Sequence, residues 1–411
     1  MASALKFPVR LGPAEHTLLE QLRSVGADSE AERLEVVGLP TRRVESYHYT
    51  DLKQLLKTVP PLAEPAGESA GAGFTVPGAT QFMMLNGKVF AQENVPADIK
   101  VGVTAGSALT VRDDVLVRLN SALVREMLTL HLGGPVASFI HLDRRSEGKA
   151  GHSASAAKVF VAEGTEAVVL ETYSASGPGH LSNDSSFITL GRNSKVTHIT
   201  LDLTPPEGSH FATTEYELGE GAQLRSLVIH AGSNLARSQV FARFAGEGAH
   251  ADFGGLNLVN DGQHLDITLD VSHAVPNTTS KELFKQIARG RSRAVFQGRL
   301  VVARGAQKTD AKMMMQGLML SDEAEILSKP ELEIYADDVV CGHGSTCGKL
   351  DEDHLFYLMS RGIPQAEAET MLVRGFLEEL LDPIENEALH DALESVVEGW
   401  LLGTDRNAAA A

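Results

Sequence analysis

The stretch from residue 158 to 173 reads KVFVAEGTEAVVLETY and alternates apolar with polar residues on both sides of a short turn. The same pattern returns in SFITLGRNSKVTHITLDL (186–203), EYELGEGAQLRSLVIHAG (215–232) and ARFAGEGAHADFGGLNLV (242–259). A period of two residues is typical of β-strands, because successive side chains point to opposite faces. From about Ala157 onward the sequence therefore predicts a long series of short strands.

The turns between these strands recur at nearly even spacing. Residues 163–165, 191–194, 219–222 and 246–249 each precede a new apolar run. Such degenerate self-similarity is expected of stacked rungs, each of which buries its apolar side against its neighbours. We predict a parallel β-helix. An ordinary sandwich is the alternative, because periodicity identifies strands but not their partners.

Helical patterns lie on both sides of this β region. The sequence predicts an N-terminal helical domain over residues 1–59, a linker rich in Pro, Gly and Ala over 60–79, a β core over 80–350 and a C-terminal helical domain over 351–411. The central helix of the last domain carries an apolar stripe that suits either packing against the sheet or docking of a partner. This stripe consists of Leu372, Phe376, Leu377 and Leu380.

Three shorter segments need separate interpretation. LNSALVREMLTLHL (119–132) predicts either one helix or a helix that turns into a strand. In RVESYHYTDL (43–52), Thr50 is the expected N-cap of the following helix, and the aromatic residues before it are expected to pack at the helix entry rather than to bind a ligand. His264 and His273 lie on or beside a predicted strand and are interpreted as structural.

Composition excludes several classes of protein. The chain has 411 residues and a formal net charge of −18, from 54 acidic and 36 basic residues, which disfavours binding to a nucleic-acid backbone. No apolar run is long enough to span a membrane, and the first residues lack the apolar core of a signal peptide, so a cytoplasmic protein is expected. The two cysteines cannot form a disulfide framework and are expected to be free thiols.

Both cysteines lie in ADDVVCGHGSTCGKL (336–350), where the predicted β region meets the C-terminal helices. In an extended segment, Cys341 and His343 point to the same face and could bind one Zn, Fe or Cu(I) ion. A closed structural site needs four ligands, so this site looks incomplete within one chain. Packing of a buried thiol is the alternative interpretation, and Asp337 and Asp338 are weaker candidates for oxygen ligands.

The spacing of residues supports neither a cysteine nucleophile nor an ATP-binding loop. A cysteine nucleophile needs a base and an orienting group whose geometry the sequence does not show. The glycine-rich runs LGEGAQ and FAGEGAH lack the Lys-Ser/Thr ending of a phosphate-binding loop and recur as turns. We therefore do not expect this chain to bind ATP.

From His264 to Leu380 the sequence resembles the SufB/SufD family of iron–sulfur cluster assembly proteins. SKELFKQIARGRSRAVFQGRL and AQKTDAKMMMQGLMLSDEAEILSKPELEIYADDVVCGHGSTCGKLDEDHLFYLMSRGIPQAEAETMLVRGF are close to the family's core signature. RVESYHYTDL is similar to its aromatic entry motif, with Tyr47 where a tryptophan is usual, and LNSALVREMLTLHL is similar to its middle segment. The small number of cysteines favours the SufD branch over SufB.

The resemblance implies a right-handed parallel β-helix flanked by helical domains, in a scaffold subunit that catalyses nothing itself. It implies pairing with SufB through the β-helices, docking of the ATPase SufC on the C-terminal helices, and a homodimer as an assembly of the isolated chain. His343 first and Cys341 second match the residues that hold a transient iron–sulfur cluster shared with SufB. Cys347 departs from the family pattern. The resemblance also implies a reduced flavin at the level of the complex.

Two other functions remain alternatives at the level of sequence. A β-helix enzyme that processes polysaccharides would carry catalytic carboxylates along one face, but a single Trp and six Tyr leave little for a sugar-binding aromatic stripe. A stand-alone metal-binding protein would hold iron or zinc tightly without a partner.

Overall fold

The computed structural model of the protein describes residues 10–65, 67, 73–90, 92, 95–106, 112–134 and 138–403. Within these residues the chain forms seven α-helices, one short 3-10 helix at Glu45–Tyr47 and nineteen strands. The helices are α1 (Pro13–Ser24), α2 (Asp28–Val37), α3 (Leu52–Leu55), α4 (Val115–Leu123), α5 (Glu352–Ser360), α6 (Gln365–Leu381) and α7 (Glu387–Leu402). No helix among the described residues is long and apolar enough to cross a membrane.

The first ten strands are β1 (Thr80–Leu85), β2 (Lys88–Val89), β3 (Ile99–Ala105), β4 (Glu126–Leu132), β5 (Ser138–Ser146), β6 (His152–Val161), β7 (Glu166–Ala175), β8 (Leu181–Leu190), β9 (Lys195–Asp202) and β10 (Ser209–Leu218). The remaining strands are β11 (Gln223–His230), β12 (Leu235–Phe244), β13 (His250–Val259), β14 (His264–His273), β15 (Thr279–Ala288), β16 (Arg293–Val302), β17 (Asp310–Met319), β18 (Glu325–Ile334) and β19 (Val340–Gly348).

Successive strands alternate between two sheets. Odd-numbered strands from β5 to β19 extend a ten-stranded sheet, and even-numbered strands from β4 to β18 extend a nine-stranded sheet. Apart from the antiparallel pairs β1–β2 and β3–β4, every pairing between strands is parallel among the described residues. The chain therefore coils through about eight turns of a parallel β-solenoid with helices at both ends. The predicted parallel β-helix is confirmed, and the sandwich alternative is wrong.

Strict register gives the coil a continuous core. Along the nine-stranded sheet, Ile188, Tyr216, Ala242, Val271 and Leu300 lie directly above one another. All five are buried in one apolar cluster between the sheets. Because side chains alternate between faces, the same register also fixes which residues point outward. The predicted turns at 191–194, 219–222 and 246–249 lie where the chain crosses from one sheet to the other.

Several strands precede the regular alternation that begins at about Ala157, and they lie within the predicted β core of residues 80–350. β4 and β5 precede Ala157, and residues 119–132 form the end of α4 followed by β4, which is the second of the two predicted alternatives. Part of the predicted linker also packs on the solenoid. Leu62 forms a β-bridge with His152, and Phe74 and Val76 are buried, whereas residues 66 and 68–72 of that linker lie outside the described residues. Local sequence patterns do not predict these contacts, because the contacts depend on residues that are distant in the chain.

Helices cover the outer faces of both sheets. α1, α2 and α4 form an apolar cluster with outward side chains of the nine-stranded sheet, such as Leu181 and Phe211. α6 and α7 pack on the ten-stranded sheet, where Trp400 and Leu377 are each 1% exposed. α5, by contrast, has no buried residue. Both groups of helices therefore pack on the outer faces of the sheets and leave the last rung, formed by β18 and β19, uncovered.

A buried ion pair of the solenoid holds the segment around Tyr47 in place through hydrogen bonds. The Arg237 guanidinium pairs with the Asp266 carboxylate, and both side chains are fully buried. Thr50 donates a hydrogen bond to Asp266 (2.5 Å), and the Tyr47 hydroxyl donates one to Asp114 (2.8 Å). The prediction that Thr50 caps α3 is wrong, because Asp51 supplies the cap and the Thr50 hydroxyl is used in this contact. Tyr47 packs at the helix entry as predicted.

We expect Asp266→Asn to destabilise the protein by about 3–5 kcal/mol, because it leaves the Arg237 charge buried without a counter-ion. Asp270→Asn, on the same strand, is the matched control. Its carboxylate pairs with the half-exposed Arg299, so its loss is expected to cost no more than about 1 kcal/mol. Thermal and urea unfolding of both variants measure the difference. Equal losses would contradict the role assigned to the buried pair.

Candidate metal centre

The segment that carries Cys341, His343 and Cys347 is β19, the last strand of the ten-stranded sheet. It pairs with β17 on one side, and no described strand pairs with its other edge. β18 is likewise the last strand of the nine-stranded sheet. The candidate ligands thus lie on the terminal rung of the solenoid, where two sheet edges are open.

Cys341 and His343 point to the same face of β19. In register, Cys341 lies above Ala311 and His343 above Met313, and both of these β17 residues belong to the interior core. Cys341 is half-buried against that core, and His343 is exposed. Two residues of a strand span about 6.6 Å. A thiolate and an imidazole at this spacing can both reach one metal ion, given bond lengths of about 2.0–2.3 Å.

The structure separates Cys347 from this pair. Cys347 lies above Gly317, and its Sγ would be 3.0 Å from a Cβ placed on that glycine. It is four residues beyond His343, or about 13 Å along the strand, which is too far for a shared ion. Asp338 is also engaged elsewhere, since its carboxylate pairs with Lys308 at 2.5 Å.

Burial keeps both thiols protonated at neutral pH. It raises the pKa of Cys341, and the carboxyl groups of Asp310 and Glu282 raise this pKa further, against a hydrogen bond with the Ala311 backbone that lowers it. Partial desolvation of its sulfur also raises the pKa of Cys347, although the residue as a whole is exposed. A nucleophilic cysteine needs the opposite shift, so this environment disfavours catalysis by Cys341. A metal ion that binds here must displace the thiol proton.

The predicted partner-binding stripe on α6 is divided by the structure. Leu377 and Leu380 are buried against the ten-stranded sheet, whereas Leu372 and Phe376 are half-buried. Lys285 of β15 donates a hydrogen bond to the Phe376 carbonyl (2.7 Å), which fixes the helix on the sheet. The stripe thus packs within the chain over at least half of its residues.

Sequence reasoning missed two features. The large apolar residues Phe356, Tyr357 and Met359 of α5 are 72%, 55% and 42% exposed. Glu282 of β15 is fully buried inside the solenoid, and neither of its carboxylate oxygens has a hydrogen-bond partner. The two-residue period could not have revealed Glu282, because the inward series of β15 also contains Ser280 and Gln286, while Leu283 and Ile287 point outward.

One further group of metal-ligand side chains lies on α7. Ligand atoms of His390, Asp391 and Glu394 are all within 4.8 Å of one another. Glu394 already pairs with Arg374 at 3.0 Å, and Asp391 is exposed. Because exposed acidic groups often cluster without a metal, we assign this group no function.

The chain matches a family model described as the SufBD core domain of the SUF system for FeS cluster assembly, over residues 144–376. It is 29% identical to the iron–sulfur cluster assembly protein SufD of Escherichia coli over 387 residues, which cover 89% of this chain and 90% of the relative. It is 28% identical to a SufBD family protein of Mycobacterium tuberculosis, covering 88% and 89% of the two chains. The chloroplast protein ABCI7 of Arabidopsis thaliana is 24% identical, with 98% and 90% coverage.

We expect the two thiols to differ in their rate of thiol–disulfide exchange with a small reagent. In Cys341→Ser the remaining thiol, Cys347, is exposed and should react at least several-fold faster than the half-buried Cys341 of the Cys347→Ser variant. Reaction at pH 8 with a chromogenic disulfide measures both rates, and unfolding in urea should make them equal. Equal rates in the folded proteins would contradict the burial of Cys341.

Proposed function

Because the chain belongs to the SufBD family of the SUF system for iron–sulfur cluster assembly, we propose that it is a SufD-type scaffold subunit that pairs with a SufB-type protein and binds a SufC-type ATPase. The observation that supports this proposal is a thiol and an imidazole, those of Cys341 and His343, on one face of a strand at an open sheet edge. In this function the chain catalyses no reaction of its own.

The open edges of β18 and β19 support pairing with a second solenoid. An unpaired edge strand presents a row of N–H and C=O groups that another strand can satisfy. Side chains at the terminal rung are also only partly covered. Val340 and Tyr335 are 60% and 59% exposed, and every residue of β18 from Ile326 to Glu333 is half-buried. A partner that continues both sheets would cover these groups.

Such a partner would complete the metal site. Cys341 and His343 supply one sulfur and one nitrogen ligand, and iron–sulfur clusters are held by thiolates and, in some proteins, imidazoles. Further ligands would come from the SufB-type subunit, so that a nascent cluster is bound at the interface and leaves when the interface opens. The cluster is cargo in this proposal. The proposal includes a reduced flavin only at the level of the complex and assigns it no residue of this chain.

The exposed apolar face of α5 supports docking of an ATPase subunit. Phe356, Tyr357 and Met359 lie on one short helix that contributes nothing to the core. Large apolar side chains grouped on a surface are typical of protein–protein contact sites. Phe376 and Leu372 of α6 are half-buried nearby in the chain's helical unit and can extend the contact, whereas Leu377 and Leu380 hold α6 on the sheet.

We expect His343→Ala to lower the iron and sulfide content of the complex formed with SufB-type and SufC-type subunits to less than half. The reason is that the variant removes a ligand without disturbing the core. Thr346→Ala, on the other face of β19, is the control and should retain the cluster. Iron analysis and visible absorption measure the content, and size-exclusion chromatography checks the assembly. A full cluster in an intact variant complex would refute the ligand assignment.

Iron analysis of the isolated chain separates this function from the metal-binding alternative. A half-site should retain little iron or zinc after purification without its partner, because two ligands bind a metal weakly. Tight, stoichiometric metal in the isolated chain would favour the alternative of a stand-alone metal-binding protein.

We expect Phe356→Ala and Tyr357→Ala each to weaken binding of the ATPase subunit by about 2 kcal/mol, or roughly 30-fold, because aromatic residues of this kind dominate interfaces. Val36→Ala, at an exposed apolar residue of α2, is the control. Calorimetric titration of the purified ATPase subunit into each variant measures the affinity. Unchanged affinity in both α5 variants would place the docking surface elsewhere.

A further inference from the structure

A cavity of about 150 Å³ lies between the outer face of the ten-stranded sheet and the C-terminal half of α6. Its floor comes from strands β9, β11, β13 and β15, and its roof comes from α6 and the turn that follows this helix. Neither β19 nor α5 contributes to its lining. The cavity is therefore separate from the candidate metal centre and from the exposed apolar face of α5.

A glycine in an otherwise aliphatic row leaves this space open. On the outer face of the sheet, one row of residues in register consists of Ile199, Leu227, Gly254 and Leu283. The three aliphatic residues are buried, whereas Gly254 has no side chain to fill its place in the row. A Cβ at Gly254 would lie 3.0 Å from Leu227 Cδ1 and 3.3 Å from Leu380 Cδ2. These two leucines thus close part of the gap, and the rest of it remains as the cavity.

Two hydrogen bonds to backbone carbonyls hold the roof of the cavity above its floor. Arg225 of β11 donates one to the Pro383 carbonyl in the turn after α6, and Lys285 of β15 donates one to the Phe376 carbonyl within α6 (2.7 Å). Lys285 also pairs with Glu379 of α6 at 3.1 Å. Because its walls are fixed in this way, the cavity is preformed, and a ligand that enters it loses little free energy to rearrangement of the protein.

The walls of the cavity are apolar. Leu227 and Leu283 contribute from the sheet, Leu380 and Ile384 contribute from the helical side, and all four residues are buried. An apolar cavity of about this volume takes up a benzene molecule and excludes ordered water. The apolar part of a ligand is therefore limited to about six carbon atoms.

The mouth of the cavity carries a lysine whose charge is not used within the chain. Lys281 follows Arg225 and Asp252 in one row of outward residues on three neighbouring strands. The Asp252 carboxylate pairs with Arg225 (3.4 Å) and also lies 3.2 Å from a ring nitrogen of His250. Lys281 is exposed and makes no ion pair within 4.0 Å among the described residues. Its ammonium group is therefore available to an anion that enters the mouth.

We propose that this cavity is a binding site for a small monocarboxylic acid whose apolar group has about the size of a benzene ring. The apolar group lies between the leucines of the floor and the roof, and the carboxylate accepts a charge-assisted hydrogen bond from the Lys281 ammonium group. Glu379 also lines the cavity, but its charge is neutralised by Lys285. The site goes beyond the proposed function and does not depend on it, because it shares no residue with the metal centre.

Phenylacetate serves as the probe, and phenylacetamide is its neutral counterpart of nearly equal size. Calorimetric titration of the full-length chain should give phenylacetate a Kd below about 1 mM and an affinity at least about fivefold higher than that of the amide. Phenylacetate should also raise the thermal midpoint of unfolding, because it binds the folded chain only. Absence of phenylacetate binding in this range overturns the proposal, and so does equal binding of acid and amide.

Lys281→Gln should abolish the preference for the acid, so that phenylacetate and phenylacetamide bind this variant with similar affinity. The amide should bind it as it binds the unmodified chain, because the apolar walls are intact. Lys312→Gln is the matched control, since Lys312 follows Lys281 in the same outward row but pairs with Asp310 (3.0 Å) and does not line the cavity. A retained preference in Lys281→Gln, or an equal loss in Lys312→Gln, overturns the proposal.

A larger acid, 1-naphthylacetate, tests whether the apolar group occupies this cavity. Leu283→Ala enlarges the cavity and should raise the affinity for naphthylacetate relative to phenylacetate at least several-fold. Leu258→Ala is the control, because it removes a leucine of the same apolar cluster that does not line the cavity. An affinity ratio that is the same in both folded variants and in the unmodified chain overturns the proposal. Lys281→Gln, at an exposed residue, decides the proposal even if Leu283→Ala fails to fold.

Discussion

The backbone hydrogen bond between stacked rungs is the interaction on which this structure depends. Each strand of a parallel solenoid satisfies its N–H and C=O groups with the strand below and the strand above. The last rung has a neighbour on one side only, and here that rung consists of β18 and β19. A protein that ends a solenoid with two uncovered edges either protects them or uses them, and the presence of Cys341 and His343 at this edge favours use in assembly.

The interior of the coil shows how unusual Glu282 is. Some other charged groups between the sheets are paired, as Arg144 is with Glu171 (3.2 Å) and Glu171 with His198 (3.1 Å). The Arg144 and His198 groups hold the pKa of the Glu171 carboxyl well below its usual range despite its burial. Glu282 has equal burial but no such partner, and its pKa shifts in the opposite direction. Burial with a counter-charge and burial without one thus give opposite protonation states in one core.

The N-terminal and C-terminal helices pack on the outer faces of different sheets. α1, α2 and α4 cover part of the nine-stranded sheet, and α6 and α7 cover part of the ten-stranded sheet. Arg289 of β15 reinforces the second contact, because its guanidinium stacks on Trp400 (4.0 Å) and donates a hydrogen bond to the Trp400 carbonyl (2.7 Å). Among the described residues, the terminal rung and the apolar face of α5 are two surfaces that these helices leave uncovered.

The sequence by itself determined most strands and their turns, because a two-residue period is a local property of the chain, and the even spacing of the turns indicated the coiled arrangement. It also indicated that Cys341 and His343 share a face, since alternation fixes direction within one strand. Tertiary structure alone decided that Thr50 binds Asp266 instead of capping α3, and that Glu282 is buried inside the solenoid without a counter-charge. Those outcomes depend on contacts between residues far apart in the chain, which local periodicity does not encode.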